Sequence, residues 1–173
     1  TGEDDDIDDG DAPYVVNIAV GAATTAPDYQ KNAGPWSIPA VNLDDDTAGI
    51  VVTDVNGLPI VGNLVTTEAG GTVQGFGTSA EFKVSLSSKP AANVTIRVSS
   101  GAPAEGLLSV AQELYSTLDL VFTDVNWKEV QTVTVTSVND TFNDGPAGYA
   151  ISVEAVESSD PLYLSATPQT VTV

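Results

Sequence analysis

Cysteine, methionine and histidine are all missing from this 173-residue chain. Without thiolate or imidazole, zinc and copper lose their preferred ligands, and any metal must be held by oxygen donors, which suit calcium or magnesium. The same absences exclude a Ser/His or Cys/His nucleophilic pair. A carboxylate pair of the glycosidase kind needs one acid in an apolar pocket, whereas the acids here fall in polar loops, so the chain reads as not an enzyme. Lacking disulfides, it must draw its stability from a core and from bound ions. Basic residues are also scarce: 5 stand against 24 acids, a formal net charge of -19. Nucleic acid and anionic membrane surfaces would be repelled, and the natural counter-ligand is a cation. No hydrophobic run approaches the length of a membrane span, which argues against membrane insertion. Neither a signal peptide nor a lipidation signal is recognisable, so the chain is expected to be an interior piece of a mature product.

What is present is a strand pattern. Hydrophobic residues make up 42% of the chain, enough for the core of one ordinary domain with an appendage. Segments 81–86 (EFKVSL), 94–98 (VTIRV), 130–138 (VQTVTVTSV) and 149–156 (YAISVEAV) alternate apolar and polar residues, the period of a half-buried strand. Gly, Pro, Asn, Asp and Ser clusters such as SSKPAAN (87–93) and SSGAPAEG (99–106) separate them, as in a β-sandwich. Only 111–118 (AQELYSTL) could hold a helical turn.

An internal repeat organises the chain. Residues 1–20 align without gaps on 136–155, matching Thr1 with Thr136, Asp5 with Asp140, Asp9 with Asp144, Gly10 with Gly145, Ala12 with Ala147 and Tyr14 with Tyr149, a period of 135 residues. A looser match sets Pro39, Ala40 and Val41 near Pro168 to Val171. The expected organisation is therefore a window on a tandem array. Residues 1–43 supply the last two strands of one repeat, 44–49 an acidic linker, and 50–173 the next repeat without its own trailing linker.

The segments FTDVNW (122–127) followed by QTVTVT (131–136), SLSSKPAANVTI (85–96) and NLDDDTAG (42–49) resemble the Calx-β-like repeats of very large bacterial surface proteins and adhesins. The resemblance covers nearly the whole chain. It departs in the second acidic loop, where Asn139 and Thr141 replace a run of Asp, and in the longer loop AQELYSTLD. It implies an all-β, seven-stranded antiparallel Ig-like sandwich with calcium at one end.

The expected strands are A ending near Thr67, then 80–86, 93–99, 118–123, 129–138, 147–156 and 168–173. If these alternate in direction, the A/B, C/D and E/F loops and the linker after G share one pole. The candidate metal ligands gather there: Glu68 at the A/B loop, Glu105 in C/D, and Asp140 and Asp144 in E/F. For the first copy they are Asp4, Asp5, Asp6, Asp8, Asp9 and Asp11 with Asp44, Asp45 and Asp46 of the linker. Two carboxylates about 4 Å apart repel by roughly 4 kcal/mol at an effective dielectric of 20, so such a cluster calls for a cation. Calcium accepts six to eight oxygens in loose geometry, whereas magnesium demands an octahedron. The loops lack the spaced 12-residue EF-hand pattern, so the site would be assembled by tertiary structure. A run such as DDDIDDGD has a plainer reading as a solvated acidic face.

Trp36, Trp127, Phe122 and Tyr149 are expected to pack in the core or its rim rather than form a sugar platform. The sequons at Asn93 and Asn139 matter only in a glycosylating host. The functional expectation is an extracellular or cell-surface structural repeat whose calcium stiffens the joints between neighbouring copies, in an adhesin, surface layer or filament. Two alternatives stand beside it: a calcium-dependent module binding a surface ligand such as carbohydrate, and a calcium sensor.

Overall fold

The computed structural model describes residues 3–21, 26–30, 34–69, 76–110, 113–141 and 145–173, and the chain divides into two compact units. One comprises residues 1–5 and 9–45, the other 6–8 and 46–173. The chain is all-β with antiparallel pairing throughout, and eleven strands occur among the described residues.

The smaller unit is a two-stranded sheet. Strand β1 (Ala12–Ile18) pairs with β2 (Trp36–Asn42), setting Tyr14 opposite Ala40, Val16 opposite Ile38 and Ile18 opposite Trp36. All seven residues of β1 are exposed. The connection contains one helical turn, α1 (Pro27–Gln30). Trp36, expected to pack, is 49% exposed.

The larger unit is a β-sandwich. One sheet runs in the order β11 (Gln169–Thr172), β10 (Ala150–Ser158), β5 (Val94–Ser100), β8 (Thr117–Phe122). The other runs β3 (Ile50–Thr53), β4 (Phe76–Leu86), β9 (Gln131–Val138), β6 (Gly106–Val110), β7 (Glu113–Tyr115). Alternation places one face of each strand inside: Val94, Ile96 and Val98 from β5, and Val133 and Val135 from β9, are fully buried. They meet Phe82, Val84, Leu108, Phe122, Ile151 and Val153 in a single apolar core. Each such side chain contributes about 1.5–3 kcal/mol when removed from water.

The strand plan departs from expectation in three places. The first strand of the sandwich is β3, pairing Ile50 with Leu86 and Thr53 with Lys83, rather than a strand ending near Thr67. The later segment still reaches both sheets, because Leu64 N–H donates to the Thr172 carbonyl and Thr78 N–H to that of Thr67. Residues expected to form one long loop after β5 instead build β6 and β7. GLLSV is a short apolar run without alternation, buried on both sides of Leu107, which hides it from a period-two reading. The stretch considered for a helical turn is likewise extended, contributing β7 and the start of β8, with residues 111–112 outside the described set. Among the described residues the sandwich thus has nine strands where seven are expected.

One helical turn, α2 (Pro161–Leu164), joins β10 to β11. Asp160 caps it, accepting from Leu162 N–H at 3.0 Å and reaching across to Ala91 N–H at 2.9 Å in the β4–β5 turn. The buried Tyr163 hydroxyl donates to the Ser88 carbonyl and faces the Ser88 side chain.

The two copies of the repeat can now be compared in register. The β10–β11 pairing sets Ile151 opposite Val171, and Tyr149 and Val173 exchange backbone hydrogen bonds. Carrying the 135-residue period across makes Val16 equivalent to Ile151, and its partner Ile38 therefore equivalent to Val171. The looser sequence match, which set Pro39 near Pro168, is displaced. The paired residues are 22 positions apart in the first copy, Val16 to Ile38, and 20 in the second, Ile151 to Val171, and the two extra residues lie in the connection.

Candidate metal centre

In the smaller unit, the end of the hairpin carrying Ala12 and Asn42 also carries acids. Gly10 adopts φ +82°, a conformation L side chains rarely take, and this turns the chain so that consecutive amides face one carboxylate. Asp44 Oδ2 accepts from Asp9 N–H at 3.0 Å and from Gly10 N–H at 2.6 Å. Asp44 N–H in turn donates to Asp11 Oδ1 at 3.0 Å, and Asn42 Nδ2 donates to the Glu3 carbonyl. The loop and the residue after β2 are therefore stitched by reciprocal bonds, and Asp9, Asp11 and Asp44 are brought together. Asp4 and Asp5 are exposed on the approach to this loop, and Asp45 is exposed just beyond Asp44.

In the larger unit, Asp8 Oδ2 accepts from Ala48 N–H at 2.7 Å. The Asp6 carbonyl accepts from Lys89 N–H at 2.6 Å, and its carboxylate pairs with Lys128 Nζ at 3.0 Å. Lys128 also lies 4.6 Å from the Trp127 ring centroid. Both partners of the Asp6–Lys128 pair are well exposed, so it contributes at most about 1 kcal/mol, but it does supply Asp6 with a counter-charge. Asp46 is half-buried.

A second acidic locus lies wholly within the larger unit. A cavity of about 550 Å³ is lined by Glu68, Glu105, Thr66, Ser137, the 145–149 segment and Val173, among others. Its walls thus come from the segment before β4, the β5–β6 connection, the β9–β10 connection and the end of β11. Ser137 Oγ donates to the Thr67 carbonyl at 2.7 Å, and Val138 N–H donates to the Glu105 carbonyl at 2.8 Å, which ties two walls to β9. Tyr149 packs its hydroxyl against Gly106, where an added Cβ would lie 1.9 Å from that oxygen. Among the described residues, the buried hydroxyl has no hydrogen-bond partner. Burial pushes the Tyr149 pKa up, Thr66 nearby moderates the shift without reaching hydrogen-bond geometry, and the negative charge of Glu105 adds to it. Asp140 is exposed and does not line the cavity, and Asp144 lies outside the described residues.

The donor set has the chemistry of a hard-cation site, because it offers oxygen alone: carboxylates, carbonyls and hydroxyls, with no Cys, His or Met in the chain. A carboxylate already accepting an N–H retains further lone pairs for an ion. Among the described residues, however, no three acids converge closely enough to form a coordination shell by themselves. Three of the five basic side chains have partners of their own: Arg97 pairs bidentately with Asp119, Lys83 Nζ donates to the Val55 carbonyl, and Lys128 holds Asp6. Sequence reasoning missed the roles of Thr66, Ser137 and Tyr149 in the cavity and of Lys128 beside Asp6. The first three lie far apart in sequence, on the segment before β4, on β9 and just ahead of β10, so no local pattern announces them.

No protein-family model matches the chain, and no curated protein matches it.

Proposed function

We propose that the chain is a non-catalytic, calcium-binding structural repeat of a long extracellular protein, of the Calx-β-like kind, in an adhesin, surface layer or filament. The observation that carries this reading is the position of the acids. The boundaries between the two compact units fall at residues 6–8 and 45–46, inside both acidic runs. Charge of one sign concentrated in these two runs is costly unless a cation joins it. Calcium would supply that charge and draw loop oxygens into a rigid shell. In this reading Asp9, Asp11 and Asp44 would hold it in the smaller unit, and Glu68 and Glu105 in the larger, with loop carbonyls completing each shell. Six of the seven expected strands then correspond to β4, β5, β8, β9, β10 and β11, β3 opens the sandwich, and β6 and β7 are additions.

The test is calorimetric titration of calcium into chelator-treated protein, paired with thermal unfolding in calcium and in magnesium. Extracellular modules bind calcium with dissociation constants near roughly 0.1–1 mM. At a hundredfold excess, one site adds about 2.7 kcal/mol. Calcium should raise the melting temperature well beyond magnesium at equal concentration. A melting temperature indifferent to chelation would defeat the calcium reading.

A further inference from the structure

The β1–β2 hairpin is built like a core element yet has no core. By the register equivalence, Val16 corresponds to Ile151 and Ile38 to Val171, and one residue pair further on Ile18 corresponds to Val153. In the sandwich those three equivalents are 0%, 2% and 0% exposed; in the hairpin Val16, Ile38 and Ile18 are 42%, 50% and 48% exposed. The difference does not come from the hairpin sequences, which both present β-branched residues at these positions. It comes from what surrounds them. Strand β10 pairs along its other edge with β5, from Ile151 opposite Ser100 to Ser158 opposite Val94, and its inner face meets the opposing sheet. Strand β1 pairs only with β2 among the described residues. A two-stranded hairpin is marginal in water, and an open edge beside apolar residues invites strand addition.

The second copy therefore shows what surface the first copy fits. We infer that β1–β2 is the closing hairpin of a preceding sandwich, and that its cover is a frame built like β3–β9, carried ahead of Thr1 in the same polypeptide. A second copy of this chain is the weaker occupant, because its frame is already filled by its own β10–β11. Admitting the hairpin there would require breaking the β10–β5 pairing. The inference is independent of calcium and makes the repeat one whose covalent period and folded unit are offset.

Hydrogen exchange read by mass spectrometry tests it, in calcium and in chelator alike. Two polypeptides are compared: the 173-residue chain, and the same chain with residues 46–135 repeated ahead of Thr1. In the shorter chain, at dilute concentration, peptides spanning 12–42 should exchange close to hairpin rates while the Phe82–Val98 region stays protected. In the longer chain the 12–42 peptides should slow by at least about a hundredfold. Val16→Asp with Ile38→Asp in the longer chain should abolish that slowing while protection of Phe82–Val98 persists, separating loss of docking from loss of folding. Three results would overturn the inference: no slowing in the longer chain despite protected sandwich cores, strong protection of 12–42 in the dilute shorter chain, or protection that appears only with concentration-dependent dimerisation in sedimentation, which would make a second copy the occupant.

Discussion

Replacing Asp160 by Ala removes the carboxylate that holds α2 against the β4–β5 turn, and the structure allows its cost to be worked out. Asp160 is only 6% exposed, so water cannot take over its bonds. Losing the cap on Leu162 N–H costs about 1 kcal/mol. Leaving Ala91 N–H without its charged acceptor costs about 1.5–3 kcal/mol more. The expected total is about 3 kcal/mol, which for a unit of this size lowers the melting temperature by about 6–12 °C. Asp160→Asn keeps one acceptor oxygen for the cap but turns an amide NH2 toward Ala91 N–H, so it should keep the first bond and lose the second, costing about 1.5–3 kcal/mol. Urea unfolding of the three proteins at pH 7 reads the difference as a shift in midpoint at constant slope. If Asp160→Ala fell within about 0.5 kcal/mol of the parent, the capping bonds would not be what fastens the β10–β11 connection to the opposite turn.

Two further outcomes follow from the buried tyrosines. Burial raises the Tyr163 pKa first and foremost, and Tyr149 shifts in the same direction. A raised folded pKa means the unfolded chain releases these protons first, so stability should hold below about pH 10 and fall as pH rises through the folded values. Urea midpoints measured between pH 8 and 11 check this, and Tyr163→Phe should flatten the decline while lowering stability at pH 8 through the loss of its Ser88 bonds. Tyr149→Phe should instead be neutral or stabilising by up to about 1 kcal/mol, because it removes a buried hydroxyl that has no partner among the described residues. A clear loss of midpoint in that variant would mean the hydroxyl is bonded in solution.

The sandwich was legible in the sequence where alternation is strict. VTIRV and QTVTVTSV became β5 and β9 with every second residue buried, and the E and F boundaries fell within a few residues of β9 and β10. Legibility failed where burial is two-sided or the strand is very short, as at β6 and β7, because periodicity carries no signal there. IVVT at 50–53 was passed over as the opening strand for the same reason: it is a continuous apolar run beside an acidic linker. At the acidic pole, the identity of the crowded residues could be read from the chain, but the bonding could not. The Asp44 grip on Asp9 and Gly10 depends on a positive φ at Gly10 and on the Ala12–Asn42 register, and the Asp6–Lys128 pair joins residues far apart in sequence.

The larger unit is not a continuous stretch of chain, and this bears on how the protein can be cut. Residues 6–8 belong to it although the next 37 residues do not. A gene fragment beginning at Asp46 would contain every strand of the sandwich and still lack three of its bonds: the acceptors of Lys89 N–H and Ala48 N–H, and the anion facing Lys128. A protease nicking the exposed hairpin would do less harm, since the short acidic peptide ahead of the cut could stay seated through those same bonds. Domain boundaries drawn for expression should therefore start ahead of Asp6, and a fragment chosen by strand content alone would leave two backbone N–H groups and one ammonium without these partners.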